Sequence, residues 1–262
     1  MALTRLVLFD IDGTLLWPDG AGRASMKVAL IELFGTAGAI DSYQFVGHTD
    51  RETVFSLMTQ AGFPVEEIEQ GFAQLAPVME YALGRLVEAG RHNIRPCPGA
   101  LELIAKLDQR PDALLGLVTG NLRPTAAIKL RAAGFDPAMF KVGAFGHISP
   151  LRADLPPHAV EEARQITQVV FRDGQIVIIG DTPADVTCGA SVGARSIGVL
   201  TGWTKREDME AANPDYLLAD LSDQQAALAA IFGPAAQASP PNPLPTCGEG
   251  ESCSGPQELD KP

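Results

Sequence analysis

No stretch of the chain is apolar over the roughly 18 residues that a membrane-spanning helix needs, so no membrane partner is expected. Basic residues are in the minority: 20 lysines and arginines face 32 aspartates and glutamates, a formal charge of −12. With no long basic cluster to track a phosphate backbone, nucleic acid is not expected as a partner. Cysteine is scarce, and Cys97, Cys188, Cys247 and Cys253 have neither zinc-ligand spacing nor the density of a disulfide scaffold. The residues ahead of Arg5 lack the charged, apolar and small-residue order of a secretory leader. A cytoplasmic protein with reduced thiols is therefore expected. What the chain does have is ordinary core material: 46% of its 262 residues are hydrophobic and 20% charged, enough for one large or two modest domains.

Short β-rich apolar runs recur at residues 6–9, 114–118, 142–145, 176–179, 196–199 and 216–218, most of them followed by a helix-like stretch. That alternation predicts an α/β fold, a doubly wound parallel sheet. Between the first run and Pro96 the pattern is helical, at 23–34, 50–61 and 65–89, with no strand signal of comparable strength. Crossovers in such folds are usually one short helix, so this stretch predicts an inserted all-helical domain rather than ordinary connecting helices. Its hinges are expected at 17–23, which holds Gly20 and Gly22, and at 91–99, which holds Pro96 and Pro98. The expected division is a core of residues 1–16 and 96–233, a helical insert over 17–95, and a tail over 234–262. The tail's proline, glycine, serine and acidic composition predicts disorder. Cys247 and Cys253 fall there, without a histidine or further cysteine to complete a zinc site.

Four polar stretches fall at the predicted C-terminal ends of strands or just after them, where open α/β sheets bind ligands. The first is F-D-I-D-G-T-L, residues 9–15. Asp10 and Asp12 are two apart on a strand and share a side, and Gly13 permits a sharp turn. A turn or N-cap role accounts for Asp12, but Asp10 follows four apolar residues and is costly to bury idle. The second, L-L-G-L-V-T-G-N at 114–121, offers the Thr119 hydroxyl, the Gly120 N–H and the Asn121 amide, which suit phosphoryl oxygens. The same residues also make a good turn and N-cap before Pro124. The third, I-V-I-I-G-D-T-P-A-D at 176–185, ends in Asp181, with Asp185 one turn into a helix. Either is explicable as a helix-start acid. Convergence of Asp10, Asp12 and Asp181 at one sheet edge, with no histidine, instead suits Mg²⁺. The fourth, S-P-L-R-A-D-L-P-P at 149–157, supplies Arg152, able to bind phosphate through two parallel N–H bonds or to be a plain surface arginine.

In order, D-x-D-G-T after the first strand, T-G-N after a middle strand, a basic residue and then G-D-T-x-x-D resemble the haloacid dehalogenase (HAD) superfamily of phosphohydrolases, over residues 4–232. Helices inserted right after the first strand are similar to the cap of its phosphoglycolate-phosphatase-like branch. The resemblance implies Asp10 as nucleophile, Asp12 as acid/base, and Thr119, Gly120, Asn121 and Arg152 as phosphate binders. It implies Mg²⁺ held by the Asp10 carboxylate, the Asp12 backbone carbonyl and Asp181, with Asp185 as an additional or outer ligand. The family's basic residue is most often lysine, so Lys129 and Lys141 are rivals to Arg152. Lys129, five residues into the helix after Pro124, is expected to point away from the strand ends. Lys141 precedes a strand and is expected at the wrong edge. Gly47, His48, Thr49, Asp50 and Arg51 are expected either to face the site or to form a capped helix start. His48, His92, His147 and His158 are read as plain surface or core histidines.

A carboxylate attacking a phosphate dianion meets about 8 kcal/mol of repulsion, taking unit charges ~4 Å apart at an effective dielectric of ~20 and doubling for the second phosphate charge. That is roughly six orders of magnitude in rate, and a divalent ion with a cationic side chain is what offsets it. Halide release needs no proton, so an acid at Asp12 favours phosphoryl transfer over dehalogenation. The expected function is Mg²⁺-dependent hydrolysis of a phosphomonoester of a small soluble metabolite through an aspartyl-phosphate. A phosphomutase on the same scaffold and a non-catalytic regulatory protein that keeps the fold are the alternatives. The sequence names neither the substrate nor the oligomeric state.

Overall fold

The computed structural model describes residues 4–233; the tail expected to be disordered, with Cys247 and Cys253, lies outside the described residues. In chain order the elements are β1 (Arg5–Phe9), β2 (Leu16–Trp17), α1 (Ala21–Phe34), α2 (Asp50–Gln60), α3 (Val65–Glu88), β3 (Arg95–Pro96), α4 (Ala100–Asp108) and β4 (Ala113–Val118). They continue with α5 (Arg123–Ala132), β5 (Val142–Ala144), α6 (Leu155–Thr167), β6 (Ile176–Gly180), α7 (Pro183–Cys188), β7 (Arg195–Val199), α8 (Arg206–Ala211), β8 (Tyr216–Leu218) and α9 (Gln224–Phe232).

Six strands form one sheet in the order β5-β4-β1-β6-β7-β8, every neighbouring pair parallel. This is the doubly wound α/β sheet expected from the alternation of strand and helix. Strand side chains alternate between faces, and both faces are covered. Val7 and Phe9 of β1 pack with Leu103 and Leu107 of α4, Leu130 of α5 and Ile231 of α9. Leu6 and Leu8 pack on the other side with Leu155, Ala159 and Ala163 of α6. Burial on both sides is why the strands read as unbroken apolar runs. The chain leaves β1 towards β4 and β5, then returns to the other side of β1 at β6, so the winding reverses at β1. In such sheets ligands bind at that reversal, outside the C-terminal ends of the strands.

Helices α1–α3 have an apolar cluster of their own, with Met26 and Leu30 of α1, Leu57 and Met58 of α2, and Ile68 and Leu75 of α3. Leu122, from the loop after β4, plugs into the same cluster. The chain enters and leaves this layer through β2 and β3, which pair antiparallel, Leu16 with Pro96 and Trp17 with Arg95. Arg95 lies over the Trp17 ring at 4.3 Å, and the Trp17 indole N–H donates to the Thr201 carbonyl at 2.7 Å. Two-residue strands joined across the whole helical layer have no periodicity to read, so the sequence gives no hint of them. Among the described residues no helix is long and apolar enough to cross a membrane.

Candidate active site

β1 still holds the sheet at Asp10, whose N–H donates to Ile179 at 2.9 Å, and the Asp10 side chain is buried. Ile11 then enters the core, and Gly13, at φ 90°, turns the chain so that its N–H reaches the Leu16 carbonyl at 2.8 Å. That left-handed turn suits glycine. It leaves Asp10 and Asp12 on one cavity of about 580 Å³, lined also by Gly120, Asn121, Lys129, Arg152 and Asp181 from the sheet's C-terminal edge. From the helical layer Arg23, Phe45, His48 and Asp50 line it.

Asp181, just beyond β6, is 1% exposed. Its Oδ1 accepts from the Thr14 hydroxyl at 3.1 Å, and its Oδ2 has no partner. A Cβ at Gly13 or at Gly202 would overlap this carboxylate, so glycine at both positions makes the space it occupies. Burial, reinforced by Asp10 and Asp185, raises its pKa well above the ordinary carboxylate range. Burial likewise pushes Asp10 up to about 6, against the pull of Arg152. Asp10, Asp181 and Asp185 bring carboxylate oxygens within 4.8 Å of one another. One guanidinium, Arg152, cannot balance three buried carboxylates, and a divalent cation is suited to the remaining two charges. An oxygen-only donor set with an unpartnered Oδ2 fits a hard cation.

Arg152 opens a 3-10 turn ahead of α6 and is 9% exposed. Its Nη2 donates to Asp185 Oδ1 at 2.5 Å and to the Val118 carbonyl at 3.3 Å, and forms an ion pair with Asp10 Oδ1 at 2.8 Å. Burial lowers its pKa, but Asp185 and Asp10 together raise it further, so it stays charged. Asp185 has both oxygens engaged. Oδ1 takes Arg152, while Oδ2 accepts from the Thr182 N–H at 3.1 Å and the Thr182 hydroxyl at 2.6 Å, closing a capping box at the start of α7. Thr119 is also enclosed, its oxygen accepting from the Asn121 side-chain amide at 2.8 Å. Gly120 and Asn121 line the cavity; Thr119 and Asp185 lie behind it.

Lys129 corrects an expectation. It does not point away from the strand ends: it is 2% exposed and its ammonium donates to Asp12 Oδ2 and to Asn121 Oδ1, both at 2.6 Å. Helical side chains lean towards the helix N-terminus, and in α5 that end is the loop after β4. A lysine two turns in therefore reaches back to the site. Lys141 is exposed, and its ammonium donates to the nearby Ala138 carbonyl at 2.6 Å.

The stretch after Gly47 joins the two layers by its backbone, a contact the sequence reading missed. The Asp50 N–H donates to Gly120 O at 2.8 Å and the Arg51 N–H to Gly146 O at 3.1 Å. The Leu122 N–H donates to Asp50 Oδ2 at 2.8 Å, and the Thr49 hydroxyl donates to Ser149 O at 3.0 Å while capping α2 at the Glu52 N–H. Such closeness depends on missing side chains: a Cβ at Gly146 would overlap the Gly120 carbonyl, and one at Gly120 would overlap that of His48. Gly146→Ala is accordingly expected to cost about 2 kcal/mol or more in urea unfolding. Gly84→Ala, in α3 with nothing near its missing Cβ, should instead gain about 0.5–1 kcal/mol.

Burial lifts Asp50 to about 6, although Lys129 and the Leu122 N–H draw it down. Because the folded value exceeds the unfolded one, near 3.8, the folded state retains the proton across this window and stability falls as pH rises through it. Asp50→Asn keeps an acceptor for Leu122 without the charge. Its stability relative to wild type should climb from near zero at about pH 4 to about 1–2 kcal/mol at pH 7. A flat difference in denaturant titrations across that range would show that the Asp50 carboxylate is not paying for its burial.

Comparison with known proteins agrees with this architecture. The family model of haloacid dehalogenase-like hydrolases matches residues 7–190. Phosphoglycolate phosphatase of Synechococcus elongatus is 29% identical over 130 residues, 48% of this chain and 56% of that enzyme, so the match spans just over half of that relative's length. Pyrophosphatase PpaX of Bacillus pumilus is 22% identical over 232 residues, 87% of this chain and 95% of that one. The crystal structure of a hydrolase from Pseudomonas syringae shares the fold, with a TM-score of 0.63 at 23% identity, covering 86% of this chain and 97% of that one. Because the matched span runs from β1 through α7 and takes in every carboxylate of the cavity's sheet edge, the chain belongs to the haloacid dehalogenase-like hydrolases.

Proposed function

We propose that this hydrolase cleaves a phosphomonoester of a small soluble metabolite through an aspartyl-phosphate on Asp10. The observation that carries the reading is a pair of carboxylates held in different ways on one cavity, Asp10 by Arg152 and Asp12 by Lys129 and Asn121. Two curated relatives named as a phosphatase and a pyrophosphatase support it. Residues 17–95 are read as a cap whose enclosure of the cavity favours small substrates over macromolecules.

Asp10 attacks phosphorus and the bond to the alcohol oxygen breaks, the leaving oxygen taking a proton from Asp12. Asp12 then takes a proton from the water that attacks the aspartyl-phosphate, releasing inorganic phosphate and restoring Asp10. Gly120 orients the phosphate oxygens, while Asn121, whose two amide hydrogens go to Asp12 and Thr119, helps to hold Asp12. Arg152 keeps Asp10 aimed and offsets charge, and Asp185 anchors Arg152. The Asp10 carboxylate, the Asp12 backbone carbonyl and Asp181 are the groups we assign to Mg²⁺, with Asp185 outside that set because both its oxygens are engaged. When bound, Mg²⁺ supplies positive charge against the phosphate oxygens.

The test is phosphate release from a panel of phosphorylated small metabolites, with Mg²⁺ and with a chelator. At least one ester should be hydrolysed about 100-fold or more above background, with the activity lost on chelation and restored by Mg²⁺. No cleavage across the panel, or halide release from a haloacid instead, rejects the reading. Transfer of the phosphoryl group to a sugar rather than to water would mark a phosphomutase.

A further inference from the structure

A buried lysine is uncommon and costly unless its charge is answered. Lys129 is answered by Asp12, a carboxylate that Arg152 does not touch. Its Nζ and the Asn121 Nδ2 both donate to Asp12 Oδ2, at 2.6 and 3.1 Å, and Nζ also donates to Asn121 Oδ1 at 2.6 Å. Asn121 is tied in turn to Thr119 Oγ1 at 2.8 Å. The result is a closed triangle of Lys129, Asn121 and Asp12, anchored to the end of β4. All of its grip falls on one carboxylate oxygen, while Asp12 Oδ1 is buried without a partner. The helical layer makes room for the ammonium: a Cβ at Gly22 in α1 would come within 2.9 Å of Nζ.

We propose that Lys129 is a positioning residue for Asp12, fixing its carboxylate together with Asn121 in the orientation that serves the leaving alcohol and then the water. The inference rests on the phosphatase reading above. It differs from a role in phosphate binding, which would show in KM, and from simple charge balance, which would affect every substrate alike. An aspartate turned by even a fraction of an ångström loses its alignment with the bond being broken, and the loss matters only where the leaving group needs a proton.

The experiment measures single-turnover phosphoryl transfer from two esters, the best alkyl phosphate of the panel and p-nitrophenyl phosphate, whose phenolate leaves without help. Lys129→Met should slow transfer from the alkyl ester by about 30-fold or more, and from the aryl ester by no more than about 3-fold, with KM for both within about 3-fold of wild type. Gly22→Ala, which only crowds the ammonium, should show the same selectivity at about 5-fold, and it carries the test alone if Lys129→Met does not fold. Equal losses on the two esters overturn the proposal, as does a raised KM with the transfer rate intact. If wild type transfers from neither ester, the phosphatase reading falls and this inference with it; if wild type works and only the selectivity is missing, this inference alone falls.

Discussion

Asp10→Asn is expected to reduce phosphate release by about 10⁴-fold or more while leaving the protein folded. The size follows from the proposed chemistry: an amide cannot take the place of an attacking carboxylate, so the covalent route is closed and only orientation and charge around the phosphate remain. A factor of 10⁴ is about 5.5 kcal/mol of barrier. The fold should tolerate the change because the amide oxygen can still accept from Arg152, while the lost charge was facing Asp181 and Asp185 across a buried cluster. Burial raises the Asp10 pKa from 3.8 to about 6, so in metal-free protein its ionisation destabilises the fold as pH climbs through that window. Asp10→Asn should therefore be at least as stable as wild type at pH 7 in chelator, contrary to most core substitutions. Phosphate assays with denaturant unfolding check both halves. Retained activity above about 1% of wild type would assign the nucleophile elsewhere.

What could be read in the sequence was whatever a local pattern carries. Asp10, Asp12 and Asp181 could be brought together on paper because each ends or follows an apolar run, and parallel strands deliver their C-terminal ends to one edge. Asp185 was visible as a first-turn acid, but its pairing with Arg152 depends on a turn from another part of the chain. Lys129 was misread because the direction of a helix relative to the sheet, not its period, decides which end its long side chains approach. Gly120 was read for its N–H, yet its missing Cβ and that of Gly146 matter as much, since they let the Asp50 backbone close on the loop. Contacts of that kind join residues some seventy to a hundred positions apart and have no one-dimensional signature.

Arg152→Met should be the most destabilising single change at the site, by about 3–5 kcal/mol at pH 7 in chelator. The reason is what it leaves behind. Methionine fills much of the same volume, so packing is a minor loss, but Asp10 and Asp185 would remain buried with no cation between them and with Asp181 beside them. The charge of Asp185 is the most confined, since its Oδ2 is held by Thr182 at the start of α7 and cannot swing out to water. Adding Asp185→Asn removes one of the stranded charges while keeping an acceptor for Thr182. The double variant should thus recover about half of the loss, a coupling that denaturant unfolding of the two single variants and the pair resolves. Protonation offers the same relief by another route: stranded carboxylates bind protons more tightly folded than unfolded, so the penalty for Arg152→Met should shrink as pH falls towards 5. A penalty below about 1 kcal/mol, or one that does not change between pH 7 and pH 5, would mean that Arg152 is not what holds the carboxylates of this cavity in their charged form.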